Sequence, residues 1–242
     1  MVEKRVSVAM AVYNSEKYIR DQIESILSQL TEDDELVISY NKSTDCTWDI
    51  ICEYEKKDKR VRVINCSTKG IQPNFNNAII NTTGKYIFLS DHDDVWVNSK
   101  VEKVLKTFNE KNATIVMHSR TVTDEKLNPI KHVNFDNNKY SNKFIRNFIS
   151  NKYCGSCMAF RRDLIPLICP LPSKVVYHDV WIGLLGSIYG TVTLLNEPLI
   201  LYRRHGLNES SDSRRNLYII FKERILIGFN IFKRVIKLLK KG

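Results

Sequence analysis

Three carboxylates follow an apolar run in the stretch YIFLSDHDDVW, residues 86–96. Asp91, Asp93 and Asp94 repel one another at this spacing, and each loses hydration if it is partly buried. The cluster therefore predicts a positive partner, unless it faces open water. Mg²⁺ and Mn²⁺ prefer oxygen ligands, often one or two carboxylates together with substrate phosphates, so an Asp-x-Asp pair at a strand end suits such a cation. The alternative is a polar turn in which Asp94 caps the next helix.

The segments around these acids must place them at the edge of a sheet. Strand patterns alternate with helical periodicity through the first half of the chain, in the order RVSVAMAVY, ELVISY, VRVIN, KYIFLS and TIVMHS. This alternation predicts an α/β fold with a Rossmann-like, mainly parallel central sheet and helices on both faces. Ligands of such sheets bind beyond the carboxyl ends of the strands, and the acidic cluster follows one of those ends.

The second half of the chain has a less regular pattern. CGSCMAFRRDLIPLI predicts a strand and then a helix, and YHDVWIGLLGSIYG predicts an apolar helix that opens with His178 and Asp179. TVTLLNEPLILYRRH indicates two short strands around Asn-Glu-Pro. From Arg214 onward the chain is basic and amphipathic, with Glu223 as its only acidic residue, which predicts a C-terminal helical tail.

Composition narrows the classes of partner. The 242 residues are 43% hydrophobic and 26% charged, which is typical of a globular protein. A net charge of +10 favours anionic partners, but no DNA- or RNA-binding motif accompanies it, so we expect no nucleic acid. We find no signal-peptide pattern and no apolar run long enough to span a membrane. Six scattered cysteines then indicate reduced thiols and a cytoplasmic location.

Several segments occur in the order seen in family 2 glycosyltransferases: VSVAMAVYNSEKYIRDQIESILSQ, STD, GKYIFLSDHDDVW, YHDVWIGLLG and LYRRHGLN. The chain resembles this family, and most closely its bacterial rhamnosyltransferase-like branch. The resemblance implies a GT-A fold and inverting transfer of a sugar from a nucleotide diphosphate, a UDP- or dTDP-sugar. It also implies Mn²⁺ or Mg²⁺ as cofactor and a saccharide or lipid-linked acceptor in surface polysaccharide biosynthesis.

The resemblance assigns donor binding to residues of the first half. The backbone near Ala11 and the ring of Tyr13 would border the nucleotide base, and Asn74 would lie near the donor. Asp91 would face the ribose or the sugar of the donor. Asp94 would orient the donor sugar or cap the next helix, and the resemblance does not choose between these roles.

The same resemblance assigns the metal, the base and the acceptor loop. Asp93 would bind the metal, and His205 would reach the metal or the diphosphate. Asp179 matches the catalytic base, because inverting transfer needs a carboxylate to take the proton of the acceptor hydroxyl. A simpler interpretation of Asp179 is a cap at a helix start. Gly155 and Ser156 would line the acceptor site, and the surrounding CxxC, which has no second pair, favours packing over a redox or zinc site.

One segment departs from the family. After ELVIS, most members of the family that the chain resembles have Asp-Asp-Gly-Ser, where an acidic side chain accepts a hydrogen bond from the imide N–H of a uracil or thymine base. Here Tyr40, Asn41 and Lys42 stand at those positions. One interpretation is that the donor pocket is adapted. Asn41 would then accept the hydrogen bond from the base without charge assistance, and Lys42 would lie near the phosphates. The alternative is a catalytically impaired GT-A protein with a binding or regulatory role. Adaptation predicts that Asn41→Asp tightens nucleotide binding.

The resemblance also divides the chain. Residues 1–210 would form the GT-A domain, with a nucleotide-sugar half at 1–118 and an acceptor half at 119–210, followed by the tail at 211–242. The basic amphipathic tail predicts peripheral binding to an anionic membrane, the inner face of the plasma membrane. Packing on the domain, or on a second subunit in a homodimer, is the alternative.

Arg203 and Arg204 would bind phosphate or face solvent.

Overall fold

Strands and helices alternate along the chain in the computed structural model, which describes residues 4–135, 144–173, 177–206 and 216–240. The strands are β1 Val6–Val12, β2 Asp34–Tyr40, β3 Val61–Asn65, β4 Tyr86–Ser90, β5 Val95–Trp96, β6 Ile115–Thr123, β7 Pro129–Val133, β8 Met158–Arg161 and β9 Val192–Arg203. The helices are α1 Ile19–Leu27, α2 Thr47–Lys57, α3 Ile71–Ile80, α4 Lys100–Lys111, α5 Phe144–Ile149, α6 Ile165–Ile168, α7 His178–Tyr189 and α8 Leu217–Leu239. The boundary predicted between residues 210 and 211 lies outside the described residues.

Four strands form the parallel half of the sheet. β3, β2, β1 and β4 lie side by side in this order, and every neighbouring pair is parallel. Their carboxyl ends therefore share one edge, where Tyr13 follows β1, Asn41 follows β2 and Asp91 follows β4. This is the edge at which the sequence predicts the ligand site.

The other strands make the sheet mixed. β8 lies antiparallel between β4 and β6, β9 runs parallel to β6, and β5 and β7 add antiparallel pairs. β9 is one strand where two were predicted. Its register shifts so that His118 of β6 pairs with Leu195 and Ser119 with Pro198, which makes the Asn-Glu-Pro segment a bulge within the strand.

Helices cover both faces of the sheet, as predicted. Val8 and Met10 of β1 are buried in a core with α1, α2 and α4. Ala9 and Ala11 point to the opposite face and belong to a core with α3 and α7. This period-two division of one strand explains why its sequence is apolar throughout.

The C-terminal helix α8 is present as predicted and lies against the domain along one side. Ile227 and Ile231 are buried in the core that contains α7. Arg234 donates hydrogen bonds to the carbonyl oxygens of Leu167 and Cys169, at 2.7 and 3.0 Å. None of the described helices combines the length and the apolar character needed to cross a bilayer.

Candidate functional site

A cavity of about 510 Å³ opens at the carboxyl edge of the parallel half of the sheet. It collects residues that follow β1, β2 and β4, residues of α3, and the end of β9. Most of the predicted site residues line it: Ala11, Tyr13, Asn41, Asn74, Asp91, Asp93 and His205. Four others do not: Asp94, Gly155, Ser156 and Asp179. The cavity thus unites the predicted metal residues with all the predicted donor residues except Asp94, and the predicted base and acceptor residues lie outside its lining.

Ala11 and Tyr13 lie where β1 reaches the cavity. Ala11 is buried, whereas the ring of Tyr13 is 48% exposed and offers a flat surface on which a base can stack. Asn74, in the first turn of α3, is buried, and its Nδ2 donates to the carbonyl oxygen of Val12 at 3.1 Å. Asn74 therefore fastens α3 to the end of β1, while its Oδ1 has no partner among the described residues.

Asn41 is buried and holds the loop between β3 and α3. Its Nδ2 donates to the carbonyl oxygens of Cys66 and Thr68, at 2.8 and 3.0 Å. Its Oδ1 accepts from the backbone N–H of Gly70 at 3.2 Å. The amide that was predicted to meet the base therefore shapes the loop that carries Lys69 and Gly70 into the cavity.

The turn after β2 is rebuilt around its unusual residues. The hydroxyl of Tyr40 accepts from the backbone N–H of Ser43 at 2.9 Å. Lys42 is exposed and is not among the residues that line the cavity. Because Lys42 also has no positive φ, the turn does without the conformational freedom of a glycine. The cation that reaches the cavity from this side is Lys69.

Asp93 and His205 form a pair at the cavity, with His205 Nε2 2.9 Å from Asp93 Oδ2. The ring of His205 stacks on Tyr18, with centroids 4.5 Å apart, and both side chains of the pair are largely buried. The loop after β4 and the end of β9 thus meet here. Sequence reasoning predicted both residues, although they are separated by 112 positions along the chain.

Asp94 is buried behind this pair and accepts from the backbone N–H of Arg203 at 3.0 Å. Among the described residues Asp94 makes no hydrogen bond to α4, where the backbone N–H of Val101 donates to Gln29 Oε1 at 3.4 Å, so the structure does not support the capping alternative. Burial and the neighbouring charge of Asp93 raise the pKa of Asp94 well above its usual value. Asp94 Oδ2 has no partner among the described residues.

Arg203 is neither a free phosphate ligand nor a solvent-facing residue. Its guanidinium donates to the carbonyl oxygens of Asp93 and Glu125 and to a carboxylate oxygen of Asp21, at 2.8–3.0 Å. It also lies over the ring of Tyr18. The side chain therefore clamps the acidic loop in place, which the sequence pattern did not reveal.

The side chains of Asp93 and His205 are candidate ligands for a divalent cation. The described residues contain no group of three or more His, Cys, Asp and Glu side chains placed to hold one. Two cis ligands at about 2.0–2.1 Å in octahedral geometry lie about 2.9 Å apart, and Asp93 and His205 have this spacing. Among the described residues, Oδ2 of the buried Asp94 has no hydrogen-bond partner, so the cluster keeps one oxygen that a further group could satisfy. Mg²⁺ commonly completes its shell with substrate phosphates and water, so two protein ligands suffice.

Asp179 lies in the first turn of α7, beside the cavity. His178 stacks on Phe75, with ring centroids 4.0 Å apart, and Phe75 lines the cavity. Burial, with a smaller effect of the Cys154 thiol, raises the pKa of Asp179 to about 7. Asp179 Oδ1 accepts from the backbone N–H of Val180 at 2.7 Å, as a first-turn carboxylate does. The residue is thus both a helix-start acceptor and a carboxylate suited to take up a proton near neutral pH.

The predicted acceptor residues lie beneath the surface. Gly155 is pressed against His178, since a Cβ at this position would come within 2.6 Å of His178 Nε2. Ser156 is fully buried, and its carbonyl oxygen accepts from Lys100 Nζ at 3.0 Å. Burial lowers the pKa of Lys100 to about 8. These two residues fix the loop beside Asp179, and the role of their own atoms in acceptor binding stays a prediction.

Cys154 and Cys157 flank this loop as free thiols. The Cys157 thiol and the guanidinium of Arg120, whose Nη1 donates to Cys154 Sγ at 2.7 Å, lower the pKa of Cys154 well below its usual value. The pair is therefore a polar contact as well as packing. Both cysteines are among the residues that line a second cavity, of about 230 Å³.

Sequence reasoning missed several residues that line the donor cavity, notably Tyr18, Lys69, His92 and Tyr202. His92 lies between two of the predicted acids, and its position in the Asp-His-Asp run was a usable signal. Tyr202 precedes the Arg-Arg-His run and could have been found in the same way. Tyr18 and Lys69 carry no local signal, because a helix start and a loop bring them to the site.

A sequence profile described as "Glycosyl transferase family 2" matches residues 7–167. The chain belongs to this family. An uncharacterized glycosyltransferase of Methanocaldococcus jannaschii is 34% identical over 82% of the chain and 70% of its own length. One from Nostoc sp. is 28% identical, over 84% of this chain and 66% of its own length. The matched regions therefore cover about two thirds of the length of each of these two curated relatives.

Solved structures confirm the GT-A fold of this family 2 member. S. aureus TarS 1-349 in complex with UDP-GlcNAc superposes with a TM-score of 0.71 at 16% identity, covering 92% of this chain and 65% of the TarS 1-349 chain. A mannosyltransferase from Pyrobaculum calidifontis, in complex with GDP-Man and Mn²⁺, gives 0.63 at 15% identity, over 87% of this chain and 59% of its own. At these identities the similarity establishes the fold alone.

Proposed function

We propose that this chain is a metal-dependent inverting glycosyltransferase that moves a hexosyl or rhamnosyl group from a UDP- or dTDP-sugar to a saccharide or lipid-linked acceptor. Residues 1–118 supply most of the donor site, and residues 119–210 supply the acceptor side. The observation that carries the proposal is one cavity that joins the strand ends to the Asp93–His205 pair, with Asp179 beside it. The complexes of TarS with UDP-GlcNAc and of the mannosyltransferase with GDP-Man and Mn²⁺ support the donor class.

The chemistry follows from these residues. Tyr13 stacks on the base, and Asp91 contacts the ribose or the sugar. Asp179, ionised above its raised pKa, accepts the proton of the acceptor hydroxyl as that oxygen attacks the anomeric carbon. Asp93 and His205 would hold Mn²⁺ or Mg²⁺, which offsets the charge that develops on the departing diphosphate. Arg203 keeps the acidic loop rigid, so little reorganisation accompanies the reaction.

Surface polysaccharide biosynthesis is the pathway class that we propose. TuaG of Bacillus subtilis, whose name assigns it provisionally to teichuronic acid biosynthesis, is 36% identical over 44% of this chain and 43% of its own. The test is hydrolysis of a panel of UDP-, dTDP- and GDP-sugars with Mn²⁺, with Mg²⁺ and with EDTA. We expect metal-dependent release of UDP or dTDP. If no nucleotide diphosphate binds or is released with either metal, the impaired-enzyme alternative replaces this function.

We further propose that α8 holds the enzyme on an anionic membrane surface. Its outward stripe is apolar and follows the three- and four-residue spacing of one helix face, with every member more than half exposed: Tyr218, Phe221, Ile225, Phe229 and Phe232. Exposed lysines flank this stripe: Lys222, Lys233, Lys237 and Lys240. This pattern suits a helix lying in the lipid interface, where each basic residue adds about 1 kcal/mol of attraction to anionic lipid.

Vesicle flotation tests the membrane proposal. The intact chain should float with vesicles containing phosphatidylglycerol and far less with neutral ones. Replacing Phe221, Phe229 and Phe232 together by Ser should abolish flotation, whereas Ile130→Ser, which changes an equally exposed residue on β7, should not. Equal flotation of the triple variant would refute the proposal. A dimer that the triple variant dissociates, without any flotation, would assign the stripe to a second copy.

A further inference from the structure

The second cavity is a polar hollow on the acceptor side of the candidate site. It is lined chiefly by His118, Arg120, Phe135, Lys152, Cys154 and Cys157, and its volume is about 230 Å³. Pockets for drug-sized ligands measure about 300–1,000 Å³, so this one suits a single sugar residue or a charged group. Its described lining shares no residue with that of the donor cavity.

Two contacts tie this cavity to the reacting centre. Cys154, in its lining, precedes Gly155, which packs against His178, the residue before Asp179. Arg120 lies over the ring of Tyr202, 5.0 Å from its centroid, and Tyr202 lines the donor cavity. The second cavity therefore adjoins both the loop that packs against the start of α7 and the lining of the donor cavity.

The described lining contains two cationic side chains and the sulfur of Cys154, whose lowered pKa gives it negative character. The two cations are Arg120 and Lys152, and no Asp or Glu is among the described residues of the lining. Arg120 shares part of its charge with the Cys154 sulfur. Lys152 is exposed at the rim and adds a second cation. Such a lining attracts an anion, because positive groups in a partly dehydrated hollow focus the field on it.

A buried histidine presents an unused hydrogen-bond acceptor. His118 is 1% exposed, and its Nδ1 lies 2.8 Å from the carbonyl oxygen of Ser119. A carbonyl only accepts, so Nδ1 carries the hydrogen and Nε2 carries a lone pair. Nε2 has no partner among the described residues. Burial and the nearby charge of Lys100 lower the pKa of His118 well below its usual value, which keeps this lone pair available.

We propose that the second cavity is an acceptor subsite that binds a sugar unit bearing an anionic group, a carboxylate or a phosphate. The cations at Arg120 and Lys152 meet the anion, His118 Nε2 accepts from a hydroxyl, and Phe135 supplies an apolar wall. The inference deepens the proposed function and rests on it, since a subsite beside Asp179 takes an acceptor only in a transferase. It adds the chemical class of the acceptor.

Direct binding of small probes tests this subsite. Methyl β-D-glucuronide, sn-glycerol 1-phosphate and neutral methyl β-D-glucoside are titrated into the full chain and followed by ligand-observed NMR. We expect millimolar binding of an acidic probe at least about tenfold tighter than the neutral one, because charge-assisted hydrogen bonds are the stronger kind. Binding of the glucuronide alone identifies a carboxylate, binding of the phosphate alone identifies a phosphate, and binding of both identifies charge as the common requirement.

Matched variants make the test specific. Lys152→Glu and Arg120→Gln should each weaken the binding of the acidic probes about tenfold. Lys56→Glu, an equal change of charge on an exposed residue of α2, should leave them unchanged. Equal binding of the neutral glucoside, no binding of either acid, or an unchanged Lys152→Glu variant overturns the subsite. UDP and dTDP with Mn²⁺ are titrated in the same samples: if they bind while the acids do not, only this inference fails, and if they do not bind, the proposed function fails.

Discussion

Buried carboxylates lie at both edges of the parallel half of the sheet, and their pKa values are shifted in opposite directions at the two edges. At the amino edge, Asp34 and Glu35 begin β2. Asp34 accepts from Arg5 and from Thr31, and Glu35 accepts from Thr83, at 2.6–2.9 Å. Burial opposes ionisation there, but these hydrogen bonds outweigh it and hold the pKa of both carboxyls below its usual value.

At the carboxyl edge the balance is reversed. Asp94 keeps one oxygen without a partner among the described residues, and burial raises its pKa. Burial likewise raises the pKa of Asp179 to about 7. The carboxylates of the amino edge are satisfied by folding alone, whereas at the other edge one oxygen of Asp94 has no hydrogen bond among the described residues. The difference indicates that the second edge is completed by a ligand, since buried polar groups without partners are costly in a finished structure.

The largest expected effect is that of Asp179→Asn. The amide keeps the shape of the side chain but cannot take a proton, so turnover should fall by about 10²–10⁴-fold while donor binding persists. Steady-state transfer and nucleotide titration measure the two quantities separately. Asp33→Asn, which removes an exposed carboxylate near the amino edge, is the control and should change neither. Near-normal turnover in Asp179→Asn would place the base elsewhere.

Asp93→Ala should come next, because it removes one of the two protein ligands proposed for the metal. Mn²⁺-dependent binding of a nucleotide diphosphate should weaken by at least about tenfold, the size of one lost charge-assisted interaction. Calorimetric titration with and without Mn²⁺ gives the metal-dependent part. Unchanged affinity would remove Asp93 from the metal site.

The pH profile sharpens the same contrast. Asp179 acts as a base only when it is ionised, and its pKa is about 7. Turnover should therefore fall about tenfold for each unit of pH below 7 and level off above it. A profile that stays flat down to pH 5 would show that the essential base titrates like an ordinary carboxyl.

A pair of stability measurements compares the edges directly. Asp34→Asn should lower the free energy of unfolding by about 1–3 kcal/mol at pH 7, because buried donors lose a charged acceptor whose pKa is lowered by folding. Asp94→Asn should leave stability unchanged or raise it, because a carboxyl with a raised pKa costs stability once it is ionised. Urea unfolding of both variants tests this, and equal losses would mean that the edges do not differ.

Much of the fold could be predicted, because long apolar strands and amphipathic helices dominate it. β5 and β7 were missed, since β5 has two residues and β7 is exposed and begins with a proline. The acidic cluster was visible because its residues are adjacent in sequence. The clamp by Arg203 and the partners of Asp34 were not, because they join residues far apart in the chain. The cationic cavity around His118 was hidden for the same reason.

The smallest expected effect is that of Asn41→Asp, for which the sequence and the structure predict opposite results. Sequence alone predicts that Asn41→Asp tightens nucleotide binding through a charged acceptor. The geometry predicts the opposite, because the carbonyl oxygens of Cys66 and Thr68 would then face a carboxylate instead of an amide donor. The loop that brings Lys69 and Gly70 into the cavity would open, and binding should weaken about three- to tenfold.

Asn14→Asp is the matched control for this change. Asn14 lines the same cavity, and among the described residues its side chain only accepts, from the backbone N–H and the hydroxyl of Thr44. A carboxylate can keep both bonds, so this variant adds the same charge without breaking a donor contact. Titration of UDP and dTDP with Mn²⁺ should then show weaker binding for Asn41→Asp than for Asn14→Asp. If Asn41→Asp instead binds UDP or dTDP more tightly than the native chain, the side chain of residue 41 contacts the base, and its hydrogen bonds to the loop break when the nucleotide binds.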